Sequence, residues 1–419
     1  MNNQRLELVA DFYEYTMANG YFNKNMQDRI AYFDVFFRKV PDEGGYAIVA
    51  GLEQIINYIR NLSFDEEDIN YLRKQNKFSE EFLNYLENFR FTGDIWAIPE
   101  GTVVFPNEPL ITVKAPIIQA QLLETMLLLT TNHQSLIATK TSRIVKEAQG
   151  RPVMEFGARR AHGINAAVEG ARAAIIGGAV GTSCTLSAKE FNVPASGTMA
   201  HSWIQSFDSE YEAFKAYAEL YPDDCTFLID TYNTIESGLP NAIKVFNEVL
   251  KPKGYRPKAV RLDSGDLAYL SKKVRKILDE TGYEDCKICA TNSLDEYLIK
   301  SLIEQDAKID LFGVGENLIT AKSEPVFGGV YKLVALEKDK KIVPKIKVSE
   351  NTAKVTNPSV KKVYRFYDNE TKKAIADVIT LADEIIDERE YMIFDPQNPW
   401  KKKVLKDYSI RLLQEKIFE

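Results

Sequence analysis

Between about residue 151 and residue 330, short apolar runs alternate with amphipathic helical segments, and each run ends in a polar or glycine-rich tip. The tips, in chain order, are EFGARR (155–160), VGTSC (180–184), SGTMAHS (196–202), IDTYNT (229–234), RLDSGD (261–266), ATNS (290–293) and FGVGEN (312–317). Strands that are apolar throughout and alternate with helices predict a parallel sheet covered by helices. About seven such units in series favour an α/β fold whose sheet closes into an irregular βα barrel, with an open doubly wound sheet as the alternative.

The polar tips follow the predicted strands, so they lie at the carboxyl ends of the sheet. In a βα barrel the loops at this end meet on one face, and this face binds and transforms the substrate. We therefore predict that all the tips converge on one pocket.

The segments that flank the barrel region have a different pattern. Residues 1–135 combine a helical start, a strand near residues 29–41 and short β-forming stretches over 93–116, which is typical of an α+β domain. Residues 331–419 are rich in β-forming residues and then predict a helix at the end of the chain. The predicted order is an N-terminal α+β domain, a barrel catalytic domain over 136–330, and a C-terminal segment.

Composition excludes several classes of protein. With 419 residues, 45% of them hydrophobic, the chain supports a large core, whereas its net charge of −7 and pI of about 5.4 leave no basic field for nucleic acid. No apolar stretch approaches the roughly 18 residues of a membrane span. Four cysteines provide no disulfide framework, and the C-x-x-C pair Cys286 and Cys289 is interpreted as small residues on a buried strand. We expect a cytoplasmic protein that binds neither nucleic acid nor membranes.

The first catalytic candidate is His201, one of three histidines in the chain. It lies in a strand tip beside Thr198 and Ser202, among small residues that leave room for a ligand. Asp230, on the next tip, is near enough in barrel order to accept a proton from one imidazole nitrogen and leave the other nucleophilic. The structural alternatives are a hydrogen-bonded core histidine for His201, and a helix N-cap or a residue that supports the site without touching the ligand for Asp230. The sequence does not determine which nitrogen reacts.

The RLDSGD tip combines a cation, two carboxylates and a tight Ser-Gly turn. Arg261 is suited to pairing with an anionic substrate, and Asp263 and Asp266 are suited to holding ribose hydroxyls or Mg²⁺. Ser264 and Gly265 can present a hydroxyl and an amide. Asp and Ser are also ordinary helix N-caps, and this alternative stays open.

Two further tips contain groups suited to phosphate. Arg159 and Arg160 have guanidinium forks that bind phosphate or carboxylate in a bidentate manner, with a surface ion pair as the alternative. The FGVGEN tip contains Gly313 and Gly315, and glycine turns at a helix start can bind phosphate through backbone amides. This tip is the last of the series, and the late strands of βα barrels commonly supply the phosphate site.

Taken in order, these segments resemble the nicotinate phosphoribosyltransferase family across nearly the whole chain. The segments that carry the resemblance are DFYEYTMANGYF, EFGARRAHG, VGTSC, GTMAHS, RLDSGDL, FGVGENLIT and GGVYKL, with family-like spacing. The resemblance implies a seven-stranded barrel and an α+β domain built from both chain ends, so that the C-terminal segment packs with the N-terminal domain. It also implies a homodimer whose partner helps to close each active site.

The resemblance further implies roles for individual residues. By similarity, His201 is the phosphorylated histidine, Tyr13 reaches the nicotinate pocket from the neighbouring subunit, and Phe156 stacks on the pyridine ring. Thr198 and Arg261 contact the pyridine carboxylate. The other substrate-binding candidates, most of them at phosphoribosyl contacts, are Arg159, Ser183, Ser202, Asp263, Ser264, Gly265, Asp266, Asn292, Gly313 and Gly315.

The implied reaction joins nicotinate to the ribose of 5-phosphoribosyl 1-pyrophosphate (PRPP), yielding nicotinate mononucleotide and pyrophosphate as the first step of NAD salvage from nicotinate. ATP is expected as a co-substrate that phosphorylates His201. Mg²⁺ is expected as the cofactor, held through the substrate, with Asp263 and Asp266 as candidate ligands rather than a dedicated protein site.

Other interpretations compete with this one. A nicotinamide-using relative has an Asp after the GT of the second tip, where this chain has Ser183, so the pocket is predicted to prefer an acid. A Schiff-base aldolase needs a lysine at a strand tip, and none of the tips contains one. A non-catalytic phosphate-metabolite-binding barrel would not need His201 beside Asp230. Glu316 and Ser359 depart from the family pattern, in which a Thr often follows GVG and a Gly usually follows TNP.

Overall fold

A computed structural model describes residues 6–348, 355–387, 389–396 and 398–419. The chain divides into two compact units: unit 1 contains residues 1–135 and 326–419, and unit 2 contains residues 136–325. The second boundary therefore falls after residue 325, compared with residue 330 from the sequence.

Helices α1 to α14 are, in chain order, Phe12–Asn23, Leu52–Asn61, Glu66–Lys74, Glu80–Glu87, Ile117–Gln121, Glu124–Glu147, Ile164–Ile176, Thr185–Phe191, His201–Gln205, Glu210–Leu220, Leu239–Val245, Leu267–Glu280, Glu296–Glu304 and Glu316–Ile319. Strands β1 to β19 are Ile30–Phe37, Ala47–Ile48, Asp94–Ala97, Val103–Val104, Ile111–Pro116, Val153–Glu155, Gly181–Thr182, Thr226–Leu228, Ala259–Leu262, Lys287–Ala290, Leu311–Val314, Gly329–Lys338, Lys341–Pro344, Lys361–Asp368, Ala374–Leu381, Glu390–Asp395, Asn398–Lys406, Tyr408–Leu412 and Glu415–Phe418.

Unit 2 is built on a parallel sheet with the strand order β7-β6-β11-β10-β9-β8. Its first strand along the chain, β6, pairs with the next strand, β7, and also with the last strand, β11. Pairing of the first strand with the last is typical of a βα barrel, whereas an open doubly wound sheet keeps them apart. The sheet is a curled half barrel, which confirms the predicted α/β class, and its open side lies between β7 and β8.

The parallel sheet has six strands, compared with about seven from the sequence. The run before the SGTMAHS tip contributes a single parallel bridge between Thr182 and Ala195. Pro194 precedes this bridge, and its carbonyl accepts the Thr182 N–H at 3.0 Å. Because proline has no N–H to donate, the ladder does not extend further on this side.

Aromatic packing holds strand β8 in the core of unit 2. Phe227 of β8 stacks with Phe214 of α10 and with Phe246, at centroid distances of 4.5 and 5.5 Å. All three side chains are fully buried. Such pairs stabilise a fold by about 0.5 to 1.5 kcal/mol beyond the burial of their surface. The apolar runs in the sequence are thus core strands, and the polar residues begin where each strand leaves the core.

Unit 1 contains a six-stranded antiparallel sheet with the order β13-β12-β1-β5-β3-β19 and a three-stranded sheet with the order β15-β14-β18. Strand β1 is buried over all but its first residue. The Phe33 ring on this strand stacks on the Tyr331 ring of β12 at 4.7 Å between centroids. Residues from both chain ends therefore form one sheet in this unit.

The departure at Ser359 has a backbone explanation. Ser359 has a φ of +72°, in the left-handed region that favours glycine. Its N–H donates to the Val334 carbonyl at 2.8 Å and its carbonyl accepts from Lys361 at 2.6 Å, so the conformation is held from both sides. Serine keeps the turn at a cost in backbone strain that glycine would avoid.

The prediction of a helix at the end of the chain was wrong. The final residues form strands, with β18 paired to β14 and β19 paired to β3. The Phe418 ring packs against the Phe91 ring at 5.4 Å between centroids. The apolar pattern of this segment is compatible with either structure, and the pairing with distant strands decided between them.

Three of the four cysteines are buried in the protein interior. Cys225, Cys286 and Cys289 are buried free thiols, and burial raises the pKa of each to about 12. This confirms the interpretation of the C-x-x-C pair as buried structural residues. Within the described part of the chain, no helix has both the length and the apolar character needed to cross a bilayer.

Candidate active site

The centre of the candidate site is the carboxylate of Asp230, just beyond the end of β8. Its Oδ1 atom lies 3.3 Å from Nε2 of His201. Its Oδ2 atom accepts the Ser264 hydroxyl at 2.6 Å and the Asp263 N–H at 2.8 Å. The Asp230 side chain is 2% exposed, so these contacts form without competing solvent. One carboxylate thus connects the SGTMAHS, IDTYNT and RLDSGD tips.

His201 is the first residue of the short helix α9, and its side chain is 39% exposed. The Asp230 contact uses Nε2, whereas Nδ1 makes no hydrogen bond to any residue that the structure describes. A carboxylate at Nε2 favours the tautomer with a proton on that nitrogen and leaves the lone pair on Nδ1. Ser202 follows in the same helix and is exposed.

Arg261 and Thr198 form a second contact across the site. Arg261 lies on β9, and its Nη1 atom donates to the Thr198 hydroxyl at 2.7 Å. The Arg261 Nε atom is buried and has no hydrogen-bond partner among the described residues. An unsatisfied, buried guanidinium N–H is costly, and an anionic ligand would satisfy it.

The loop after β9 is held by its own side chains. Asp263 accepts the Thr291 hydroxyl through Oδ1, and Asp266 caps α12 by accepting the Tyr269 N–H at 3.0 Å. Gly265 has a φ of +77°, which the turn between them requires. The Asp266 carboxylate therefore has a capping role in addition to any ligand contact. Each of the two carboxylates keeps an oxygen with no hydrogen-bond partner among the described residues.

The tip after β10 has an unusual backbone. Asn292 and Ser293 are consecutive exposed residues with φ values of +82° and +50°. The Asn317 side chain, on α14, donates to the Ser293 carbonyl at 2.8 Å and to the Leu294 carbonyl at 3.2 Å. Strained backbone of this kind persists only where neighbouring groups hold it.

The two glycines of the FGVGEN tip lie against Phe156. A Cβ atom on Gly313 would lie 2.6 Å from the Phe156 ring, and one on Gly315 would lie 3.1 Å from the Phe156 carbonyl oxygen. Gly313 is buried within β11, so the structure gives its missing side chain a packing reason that the sequence analysis did not include. The FGVGEN tip and the EFGARR tip are in direct contact.

The predicted arginine and serine of the neighbouring tips are open to solvent. Arg159 lies in a 3₁₀ turn over 158–160, is exposed, and makes no ion pair with any described residue. Ser183 follows β7 and is also exposed. Glu316 pairs with Lys322 at 2.8 Å and with Arg160 at 3.9 Å, and these cations hold the pKa of Glu316 below its usual value. Its charge is therefore balanced locally.

Sequence analysis missed Glu155, the last residue of β6. Its side chain is fully buried, and its carboxylate accepts the Thr182 hydroxyl at 2.6 Å and the Gly157 N–H. Burial raises the pKa of Glu155 above its ordinary value, although both hydrogen bonds act in the opposite direction. An acidic residue at the end of an otherwise apolar run was the available signal in the sequence.

Tyr13 belongs to unit 1, where it lies on α1 and is 44% exposed. Burial of its hydroxyl and the neighbouring Glu124 raise the pKa of Tyr13. The phenol is therefore neutral and able to donate a hydrogen bond over the whole physiological pH range.

The described residues contain no group of three or more His, Cys, Asp or Glu side chains arranged to hold a metal ion. The loop residues with free carboxylate oxygens, Asp263 and Asp266, provide two acidic groups on one turn. That number is compatible with Mg²⁺ bound largely through substrate phosphates and water.

A curled parallel sheet whose carboxyl ends bring together a histidine, a buried carboxylate and a guanidinium with a free N–H defines a barrel enzyme site. Comparison with known proteins narrows this class. Family models match the nicotinate phosphoribosyltransferase N-terminal domain over residues 8–132, the family itself over 152–380, and its C-terminal domain over 360–419.

Individual relatives agree with the family models. The chain is 46% identical over 415 residues to the nicotinate phosphoribosyltransferase of Bacillus subtilis, covering 99% of this chain and 84% of the relative. It is 36% identical to the Caenorhabditis elegans protein of the same name, covering 90% of this chain and 76% of the relative. The crystal structure of human nicotinic acid phosphoribosyltransferase matches with a TM-score of 0.85 at 26% identity, covering 98% of this chain and 89% of that chain. The chain belongs to the nicotinate phosphoribosyltransferase family.

Proposed function

We propose that this protein transfers the phosphoribosyl group of PRPP to nicotinate, forming nicotinate mononucleotide and pyrophosphate in the first step of NAD salvage from nicotinate. The observation that carries the proposal is the Arg261 guanidinium, which contacts Thr198 and keeps a buried N–H without a partner. This group is suited to the carboxylate of nicotinate. Membership of the family and the names of the relatives support the same reaction.

In this proposal the pyridine ring lies on Phe156, with its carboxylate toward Arg261 and Thr198. Ser183 lies on the adjacent tip, where the family resemblance places an Asp in nicotinamide-using relatives. Because serine adds no negative charge there, the pocket favours the carboxylate of nicotinate over the amide of nicotinamide.

The phosphoribosyl group of PRPP is assigned to the loops after β9 and β10 and to the end of β11 with the turn that follows it, together with Arg159. These loops present short polar side chains, exposed backbone and glycines, which suit ribose hydroxyls and phosphate oxygens. The residues are Asp263, Ser264, Gly265, Asp266, Asn292, Gly313 and Gly315. Of these, Ser264 also donates to Asp230, and Gly313 packs on Phe156.

In the transfer step, the pyridine nitrogen bonds to C1 of the ribose while the bond from C1 to the pyrophosphate oxygen breaks. The electron pair leaves with the pyrophosphate, and positive charge develops on the ribose. Mg²⁺, held by Asp263 and Asp266 and by the substrate, would neutralise charge on the leaving group. The protein contributes mainly positioning and electrostatic stabilisation, with no need for a strong acid.

ATP coupling is assigned to His201. Nδ1 of the imidazole attacks the γ-phosphorus, the bond to the bridging oxygen breaks, and ADP leaves. The Nε2–H stays hydrogen bonded to Asp230, which stabilises the positive charge of the phosphorylated ring. Later hydrolysis of the phosphohistidine drives turnover. Asp230 also holds the loop after β9, so the state of His201 is connected to the PRPP loop by one side chain.

The remaining features of the proposal come from the family resemblance. The protein acts in the cytoplasm as a homodimer, and Tyr13 of one subunit completes the nicotinate pocket of the other. The exposed position of Tyr13 on α1 leaves its ring available for such a contact.

Two measurements on the wild-type protein and the His201→Ala variant test the proposal. The first compares nicotinate with nicotinamide as acceptor, with PRPP, in the presence and absence of ATP. We expect nicotinate to be used in preference and ATP to stimulate the reaction. The variant should keep slow synthesis of the mononucleotide but lose all stimulation by ATP, because transfer depends on positioning whereas coupling needs a nucleophile.

The second measurement follows label from γ-labelled ATP. Wild-type protein should acquire an acid-labile, base-stable label, as a phosphoramidate does and a phosphoserine does not. Label that persists in His201→Ala, or that survives acid, would move the acceptor to Ser202, Thr198 or another residue. A preference for nicotinamide would contradict the assignment of the pocket.

A further inference from the structure

Glu155 is a fully buried carboxylate that the reaction as described does not use. It ends β6, which lies between β7 and β11 in the parallel sheet. A buried carboxylate destabilises a fold unless hydrogen bonds compensate for lost hydration. Glu155 has two such bonds, to the Gly157 N–H and the Thr182 hydroxyl. Gly157 lies two residues beyond the end of β6, and Thr182 is the last residue of β7. The candidate site begins at these strand ends.

The hydrogen bonds continue into the loop after β7. The Thr182 hydroxyl donates to Glu155 and accepts the Cys184 N–H at 2.9 Å, so both of its functions are used. The Ser183 N–H donates to the Glu155 carbonyl at 2.9 Å. Ser183 is therefore held on both sides by bonds that lead back to Glu155.

On the other side, the bonds to Glu155 define the turn that contains Phe156. The Phe156 N–H donates to the Val314 carbonyl at 2.8 Å, and the Phe156 ring lies against Gly313. A Cβ atom on Gly157 would lie 2.5 Å from Ile319, so the turn has no room to shift in that direction. The position of the Phe156 ring is set by packing on one face and by the Glu155 carboxylate at the adjacent amide.

We propose that Glu155 is a positioning residue that sets the affinity of the pyridine subsite, by fixing Phe156 and Ser183 through its hydrogen bonds to Gly157 and Thr182. The inference rests on the proposed assignment of Phe156 and Ser183 to that subsite. Glu155 contacts neither substrate and moves no proton in the reaction. Of the residues proposed for PRPP, Arg159, Gly313 and Gly315 lie beside this turn, whereas the loop after β9 is held by the bonds of Asp230. Loss of the Glu155 bonds should therefore weaken nicotinate binding more than PRPP binding.

The test compares Michaelis constants for nicotinate and PRPP, each with the other substrate saturating. Glu155→Gln keeps the shape but replaces one acceptor oxygen by a donor, and Thr182→Val removes the hydroxyl on the partner side. Thr182→Ser keeps that hydroxyl. Ser187→Ala is the matched control, because Ser187 is a fully buried residue of α8 whose hydroxyl donates to the Val168 carbonyl at 2.9 Å, outside this network.

We expect Glu155→Gln and Thr182→Val to raise the KM for nicotinate roughly tenfold, the equivalent of one hydrogen bond to a charged group. The KM for PRPP should rise less, by no more than about threefold, because only Arg159 and the glycines of the FGVGEN tip adjoin the turn. Thr182→Ser and Ser187→Ala should change neither constant by more than about twofold. If Glu155→Gln fails to fold, Thr182→Val still gives the answer.

Equal increases in both constants, or a nicotinate constant that is unchanged in Thr182→Val, would overturn the positioning role. So would a tenfold effect in the Ser187→Ala control. Wild-type protein that does not convert nicotinate at all would overturn the proposed function, and this inference with it. Wild-type activity with unaffected variants would remove only the role of Glu155.

Discussion

At the scale of single residues, the site depends on side chains that serve two neighbours at once. One carboxylate oxygen of Asp230 contacts the His201 ring, and the other accepts hydrogen bonds from the Asp263 N–H and the Ser264 hydroxyl. Arg261 binds Thr198 and keeps one buried N–H free for a ligand. Since each of these groups is held before substrate arrives, little ordering is left for the binding step.

Substitution of Arg261 by Ala should mainly weaken nicotinate binding. A carboxylate buried without its charged partner costs about 2 to 5 kcal/mol, so the KM for nicotinate should rise roughly thirtyfold or more. ATP hydrolysis without nicotinate should survive, because it does not use this contact. The control is Arg256→Ala, which removes an exposed pair with Asp285. A nicotinate KM within about twofold of wild type would show that Arg261 does not bind the carboxylate.

At the scale of elements, buried ion pairs connect helices that flank the site. Lys140 on α6 lies 2.8 Å from Glu296 at the start of α13 and donates to the Ser323 hydroxyl at 2.8 Å. The Lys140 and Glu296 side chains are 1% and 6% exposed. Helix α13 follows the strained tip at residues 292 and 293, so this pair anchors the helix directly behind the tip.

Substitution of Lys140 by Met should destabilise the protein by about 3 to 5 kcal/mol, because Glu296 is then buried without its closest cation. Arg143, at 3.6 Å, compensates only in part. Lys300→Met is the matched control on α13, the helix that contains Glu296. Because the Lys300–Glu304 pair is exposed, its loss should change stability by less than about 1 kcal/mol. Denaturant unfolding of both variants measures the difference. Equally small decreases in the free energy of unfolding for both variants would mean that the buried Lys140–Glu296 pair contributes little to stability.

At the scale of the whole molecule, the proposed active site depends on more than one subunit. His201, Asp230 and Arg261 belong to unit 2, whereas Tyr13 belongs to unit 1. The proposed homodimer assigns Tyr13 to the neighbouring subunit's pocket. If the proposal is correct, activity is a property of the dimer, and a mixing experiment measures it.

A mixture of Tyr13→Ala and His201→Ala proteins should recover part of the ATP-stimulated activity of the wild type, which neither variant shows alone. In a mixed dimer, one site receives an intact Tyr13 from one subunit and an intact His201 from the other. Subunit exchange is verified independently with differently tagged chains, and each variant alone is the control. If exchange occurs and activity does not return, both residues act within the same subunit.

The sequence was sufficient to predict the α/β class of unit 2 and the alternation of its strands and helices. The apolar runs and their polar ends identified the strands and their carboxyl ends, because a strand buried on both faces needs apolar side chains along its length. The sequence also predicted that the RLDSGD and SGTMAHS tips lie close together, and the structure joins them through Asp230 and through the Arg261–Thr198 contact. The sequence predicted one strand more than the parallel sheet contains, since the segment with Pro194 forms only a single bridge.

Pairing between distant segments was decided by the tertiary structure alone. The end of the chain forms strands because β14 and β3 offer free edges, a property that no local pattern of residues 398–419 contains. The same holds for Glu155, whose local sequence is an acidic residue at the end of an apolar run. Its partner Thr182 lies 27 positions along the chain, and only the parallel pairing of β6 with β7 brings the two together. Local chemistry determines which residues can act, whereas long-range packing determines which of them meet.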